Sequence, residues 1–341
     1  MSDVARAETG RTDGTRPVRV GVVGCADIAV RRMLPALAAC PDTEPTAVAS
    51  RDASRARTTA RPYGCAAVTG YHALLERDDI DAVYVPLPLS LHAEWARRAL
   101  LAGKHVLVEK PLTSRYDRTE RLLALAGERS LVLAENIMFP HHPAYTAVEE
   151  LLADGVIGAP RALTAVFTVP PRPVGDIRYR ADLEGGALFD MGVYPLRLAM
   201  ELLGPDLHVS SAVLRHDRSS GVDVGGAALM VRASDGVAAQ VTFGMEHEYT
   251  ARWELLGSRG RLSLDRAYSP PPGHRPLLRL ERAGEVEERI LPAHDQAVAA
   301  LAAFARAVRS PQSGEQDRAA RSLRQALLID AVREAAEVVH V

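Results

Sequence analysis

An α/β fold in two parts is predicted: a doubly wound parallel sheet first, then an α+β domain built on a mostly antiparallel sheet. Three observations predict it. Short Val-, Ala- and Leu-rich runs alternate with helical stretches over residues 17–136, a glycine turn follows the first of those runs, and beyond about residue 160 strand-like segments succeed one another across short polar turns. The chain has 341 residues. Single cores stop growing near roughly 250–300 residues, so two domains are expected, 17–136 and 137–341, with the last helix packing back on the first domain.

Residues 18–24 (VRVGVVG), 46–50 (TAVAS), 81–87 (DAVYVPL), 104–109 (KHVLVE) and 131–135 (LVLAE) are apolar on both faces, as in strands covered on two sides. Helices are expected at 28–39, where Pro35 intervenes, and at 54–62, 90–102 and 114–128, with Ser90 and Ser114 as N-caps and Gly103 as a stop. Alternation at this length builds right-handed βαβ units. After about residue 160 no helix is expected between strands: 161–169, 209–216, 226–233, 237–243, 252–258, 261–267 and 277–283 read as antiparallel strands, with turns such as ASDG (233–236) and GSRG (257–260). Two helices close the chain, at 295–309 and 315–338. Residues 1–16 are polar and aperiodic, a disordered leader by composition.

The formal net charge is −2, with 25% charged and 47% hydrophobic residues, a balance that argues against a nucleic-acid or anionic-membrane surface. No apolar run approaches the roughly 18 residues of a membrane span and the N-terminus has no signal-type stretch, so a cytoplasmic protein is expected. Cys25, Cys40 and Cys65 lack metal-ligand spacing, and the adjacent His141 and His142 lack a third ligand, so no metal is assigned.

Gly24, Cys25, Ala26, Asp27, Ile28 and Ala29 occupy the place of a dinucleotide-binding G-x-G-x-x-G/A turn. Gly24 starts the turn, Ala29 is the small residue for helix–strand packing, and Ala26 replaces the middle glycine. A pyrophosphate there meets the helix N-terminus. At the end of the second strand, where an NAD site carries an acid, the sequence reads Ser50-Arg51-Asp52, with Arg55 a turn later. A guanidinium there suits the 2′-phosphate of NADP(H), the cofactor expected.

Lys110 in VEKPLT, followed by ENIMFPHHPA (135–144) and GGALFDMGVYPLRLAMELLG (185–204), resembles the Gfo/Idh/MocA oxidoreductase family from about residue 17 to the end. The resemblance implies a Rossmann domain, a C-terminal α+β domain whose large open sheet serves homodimers or homotetramers, and hydride transfer at a sugar carbon. Many members carry a histidine where Tyr194 stands and an aspartate where Arg197 stands. The tyrosine-bearing pattern is most similar to NDP-hexose 3-ketoreductases of deoxysugar biosynthesis, which implies NADPH-dependent reduction of the C3 ketone of a dTDP-linked 3,4-diketo-2,6-dideoxyhexose. Two rivals stand beside it: an oxidoreductase acting on a free sugar or diol, and an inactive cofactor-binding regulator.

Only two of the 41 basic side chains are lysine, Lys104 and Lys110. Reduction of a ketone needs a cation near the developing oxyanion and then a proton. An ammonium supplies both, whereas a guanidinium, with a pKa above roughly 12, supplies charge alone. Lys110 is therefore the expected proton donor, with its pKa open to lowering by burial, and Tyr194 is its partner or relay. At the strand ends Leu87 and Pro88 line the cofactor groove, Glu109 shapes the turn, and Asn136 ends the sixth strand. His92 either approaches the nicotinamide or its ribose, or only caps a helix start. Arg31 or Arg32 meets a substrate diphosphate or solvent. By the resemblance, Arg178 lies near the cofactor, and Asp190 organises its motif at the substrate.

Overall fold

The computed structural model describes residues 16–173 and 175–341; apart from Arg16, the expected leader lies outside the described residues. Strands β1 (Val18–Val23), β2 (Thr43–Ser50), β3 (Ala66–Thr69), β4 (Ala82–Val85), β5 (His105–Glu109) and β6 (Leu133–Asn136) form a parallel sheet in the order β3-β2-β1-β4-β5-β6. The winding reverses between β1 and β4, which opens a crevice at the carboxyl ends. Helices α1 (Leu34–Ala39), α2 (Ala53–Ala60), α3 (Tyr71–Leu75), α4 (His92–Leu101) and α5 (Tyr116–Glu128) connect the strands.

Alternation along each strand divides the core. Val20, Val22, Ala82 and Tyr84 pack with Leu34 and Leu37 of α1, while Val23, Val83, Val85 and Val106 pack with Leu74, Ala96, Leu100 and Leu122 of α3 to α5. A π-turn at Ala29–Met33 precedes α1, and the Leu34 amide donates to the Ala29 carbonyl. Pro35 accounts for the widening, because it has no N–H for the preceding turn and its ring crowds the Arg31 carbonyl. The expected caps are corrected. Helices α4 and α5 begin after Leu91 and Arg115, without side-chain caps, because the chain around Ser90 is still in a 3₁₀ turn and the Ser114 region is bent.

The second half contains α6 (Pro143–Ala153), β7 (Pro160–Thr168), α7 (Val193–Leu203), β8 (Leu207–His216), β9 (Asp223–Arg232), β10 (Ala238–Gly244), β11 (Thr250–Gly257), β12 (Arg261–Asp265), β13 (Leu277–Arg282), β14 (Glu285–Ile290), α8 (Gln296–Arg309), α9 (Glu315–Ala335) and β15 (Ala336–His340). Its nine strands run β14-β13-β12-β11-β7-β10-β9-β8-β15, parallel at β7–β10 and β8–β15 and antiparallel elsewhere. One face buries Leu163, Val241, Trp253 and Leu255 against Val148 of α6 and Leu196 and Ala199 of α7. The opposite face leaves Val213, Leu229 and Leu256 exposed.

Two expectations change here. Helix α7 interrupts the strands, and the final helix ends at Ala335 because residues 336–340 pair along β8. Helix α8 also enters the first core, through Ala297, Leu301 and Phe304, while the last helix meets the first domain at α5, where Asp330 accepts the Tyr116 amide at 2.9 Å. Helix α9 lies against α5, α7 and β8. No helix among the described residues is long and apolar enough to cross a membrane, and none of their His, Cys, Asp and Glu side chains cluster as a metal site.

Candidate active site

Gly24 leaves β1 with φ +109° and donates its N–H to the Ala49 carbonyl at 2.9 Å. A Cβ there would stand 3.0 Å from the Leu87 side chain, so the turn needs glycine both for its backbone and for the roof that Leu87 forms. Ala29 is fully buried, as close helix–strand packing requires. Asp27 is paired with Arg31, and its carboxyl sits below the usual range because of that guanidinium. The Cys25 carbonyl accepts from Arg55 Nη2 at 2.7 Å.

Along the rim, Ser50 is buried and its hydroxyl accepts from the Asp52 amide at 3.2 Å. Asp52 caps α2, accepting from the amides of Ser54 at 2.7 Å and Arg55 at 3.2 Å. Arg51 is exposed and makes no ion pair among the described residues. The corner thus presents an unpaired cation and a carboxylate already engaged by backbone. Together with the glycine cradle, this fits a dinucleotide with a phosphate on its ribose better than one with a free diol there.

Lys110, at the carboxyl end of β5, is 11% exposed and donates from Nζ to Asp190 Oδ1 at 2.6 Å and to the Asp190 carbonyl at 2.8 Å. Its ammonium lies 5.2 Å from the centre of the Tyr194 ring, at the start of α7. Asp190 also accepts from Arg178 Nε, and Arg178 pairs with Asp176 at 3.0 Å. Here an expectation reverses. Burial pulls the Lys110 pKa down, but the Asp190 carboxylate, with smaller contributions from Tyr194 and Glu109, outweighs it, and the net shift is upward. Asp190 shows the converse: burial raises its carboxyl, and Lys110 and Arg178 bring it well below the ordinary range. Burial pushes the Tyr194 phenol up to about 12, against the opposing charge of Lys110.

Behind Lys110, Glu109 Oε1 accepts from Tyr84 Oη and Asn136 Nδ2, each at 2.6 Å. Asn136 is buried, and its Oδ1 has no partner among the described residues. The crevice also gathers Leu87 and Pro88, both half-buried. His92 is placed differently from a groove wall. It is 2% exposed, with Nδ1 2.9 Å from the Pro111 carbonyl and Nε2 2.7 Å from the Leu87 carbonyl, so the ring ties two strand-end loops together. Arg32 also points elsewhere, 3.4 Å from Asp295 at the start of α8 and 3.5 Å from the Pro270 carbonyl, which commits it to contacts with the second half. Tyr84 and Glu135 were not anticipated, since their roles arise from contacts across strands and loops that no local motif announces, and Asp176, two residues before Arg178, was missed although it is local.

The profile described as "Oxidoreductase family, NAD-binding Rossmann fold" matches residues 18–137, and that of the "GFO/IDH/MocA C-terminal domain" matches residues 145–263. The chain belongs to the Gfo/Idh/MocA oxidoreductase family. Within it, the chain is 64% identical over 339 residues to a dTDP-3,4-didehydro-2,6-dideoxy-alpha-D-glucose 3-reductase of Streptomyces violaceoruber, covering 97% of this chain and 99% of the relative. A reductase of the same name from Actinomadura kijaniata is 55% identical over 327 residues, covering 95% and 97%. A crystal structure of a 3-ketoreductase from A. kijaniata with NADP and TDP-benzene superposes with a TM-score of 0.93 at 54% identity, covering 96% of this chain and all of that one. This Gfo/Idh/MocA chain is thus similar over nearly its full length to NADP-binding sugar-nucleotide ketoreductases.

Proposed function

We propose that this protein uses NADPH to reduce the C3 ketone of a dTDP-linked 3,4-diketo-2,6-dideoxyhexose. The observation that carries the reading is the placement of Lys110, a largely buried ammonium at the carboxyl end of β5 with Tyr194 beside it. Near-complete coverage of relatives named for that reaction supplies the substrate class.

NADPH, when bound, supplies the hydride that reaches C3. Two of the three Lys110 N–H groups are engaged by Asp190, which leaves one for the ketone oxygen. The ammonium stabilises negative charge as it develops on that oxygen and then releases a proton to it. An alkoxide is far more basic than an amine, so the transfer runs downhill even with the Lys110 pKa raised. Asp190 afterwards favours renewed protonation of the amine from solvent. Tyr194, protonated throughout the neutral range, donates to the same oxygen or to the neighbouring substituent.

The test is loss of NADPH absorbance with the diketo sugar nucleotide. Turnover with NADPH well above that with NADH, and competition by dTDP, are expected. Absence of turnover would refute the reading. Turnover of free sugars with indifference to dTDP would favour the free-sugar alternative.

A further inference from the structure

Resting on that reading, we propose that Glu135 is a positioning residue that acts through Arg197 to set Lys110 against Tyr194. Lys110 belongs to the loop after β5 and Tyr194 to the start of α7, so no single element fixes their separation. Glu135 reaches both. Its side chain, 4% exposed, comes from β6. Oε1 accepts the amide of Leu112 at 3.1 Å, two residues beyond Lys110. Oε2 accepts from Ser322 Oγ of α9 at 3.4 Å and faces Arg197 Nη1 at 3.8 Å.

Arg197 lies three residues after Tyr194 on α7 and is 9% exposed. Its Nε donates to Glu201 Oε1 at 2.6 Å and its Nη1 to Gln325 Oε1 at 3.1 Å, while Gln325 Nε2 returns a bond to the Val193 carbonyl at 3.2 Å. The helix that carries Tyr194 is thereby gripped at its first residue and one turn along. One oxygen of Glu135 holds the lysine loop, and the other meets the cation of the tyrosine helix.

Buried ion pairs are poor devices for stability, since apolar replacements of equal volume do as well, and their better-attested use is to specify an arrangement. Glu135 and Glu201 face one buried guanidinium, with Arg321 3.8 Å from Glu201 at the rim. Burial raises the Glu135 pKa, and Arg197 is the foremost of the groups that oppose the rise, ahead of the Leu112 amide, Ser322 and Lys110.

The experiment measures kcat, both KM values, the dissociation constant for NADPH and Tm in Glu135→Gln, Arg197→Met, Arg197→Lys and the Glu135→Gln/Arg197→Met pair. Glu135→Gln and Arg197→Met should each lower kcat on the order of ten- to a hundredfold, the cost of a small misplacement, with NADPH affinity held within about twofold. Arg197→Lys should recover much of the Arg197→Met loss, and the double variant should fall no further than the worse single. Unchanged kcat in folded Glu135→Gln, a loss confined to KM, or losses that multiply in the double variant would each overturn the proposal. Should the singles not fold, Ser322→Ala, which removes one donor to Glu135, should still lower kcat severalfold at unchanged NADPH affinity, and an unchanged kcat overturns it. An inactive wild-type enzyme would bring down the ketoreductase reading and this inference together, whereas an active wild type with undisturbed variants would bring down this inference alone.

Discussion

Charge alone does not explain a lysine at position 110 in a chain that otherwise writes arginine, and substitution separates its two duties. Lys110→Arg and Lys110→Met should both lower kcat by about 10²–10⁴-fold while NADPH still binds, because neither side chain yields a proton at neutral pH. Near-normal kcat in Lys110→Arg would show that the cation suffices. Tyr194→Phe should cost less than either. The pH dependence has a definite sign: the Lys110 pKa is raised, so the donor is loaded below the ordinary lysine value of about 10.4 and is emptied only as pH rises through the higher folded value. A pH–rate profile should therefore be flat on this account through neutrality, and an alkaline limb near pH 7–8 would contradict it. Lys104, the second lysine, has a different reason to exist. It is 8% exposed and its Nζ donates to the carbonyls of Arg77 at 2.7 Å and Ile80 at 3.0 Å, so a compact ammonium closes the turn between α3 and β4. Both lysines are visible in the chain, but only their neighbours in space distinguish the proposed donor from a structural tie.

The β1 turn and the β2 corner are the elements whose local chemistry was most legible. A positive-φ glycine and a small packing residue stand within one turn of each other, and the cation follows directly on the end of the next strand. Gly24→Ala adds backbone strain of about 1–3 kcal/mol and presses a methyl on Leu87, so the NADPH dissociation constant should rise roughly tenfold or more, readable by fluorescence titration. Arg51→Ala should weaken NADPH by roughly tenfold while leaving NADH binding unchanged, as expected for loss of a charge-assisted hydrogen bond to phosphate. Equal effects on the two cofactors would place the 2′-phosphate elsewhere. Other elements escaped local reading for identifiable reasons. Helix α7 is buried from Val193 through Met200 and carries Pro195 in its first turn, so it lies among strands as a mostly apolar segment broken by a proline rather than as a surface helix. Strand β15 continues a helical sequence and is drawn out only by pairing along the edge of β8.

At the scale of the molecule, α8 makes the two halves dependent on one another. Phe304, 4% exposed, packs in the core of the parallel sheet although it lies in the second half of the chain. Phe304→Ala should cost about 3–5 kcal/mol and lower the thermal transition of the NADP-binding half along with the rest. Two separate transitions, with only the second shifted, would contradict this coupling. The inter-lobe ion pairs Arg32–Asp295 and Arg309–Asp42 are partly exposed and should contribute little by comparison. Acid should loosen the whole. Burial, with His294 and His274 adding like charge, holds the His142 ring at about 4 while its Nδ1 accepts the Ala144 amide. An unfolded histidine takes its proton near 6.5, so this contribution is complete above that pH and is lost as pH falls toward 4, roughly 3 kcal/mol at most. His142→Asn keeps a cap acceptor and should flatten the fall of Tm across that interval. Period, turn chemistry and the placement of Gly24, Arg51 and Lys110 are written locally along the chain, so the doubly wound sheet could be read from it, together with the positions proposed here as cofactor corner and donor. His92 is drawn inward by the folding of its own half, whereas the reversal of the Lys110 shift by Asp190, the tie of Arg32 to Asp295 and the link from Glu135 to Arg197 depend on groups in the other half. Those were decided only when the two halves packed, because burial and the distance between charges do not exist before the chain folds.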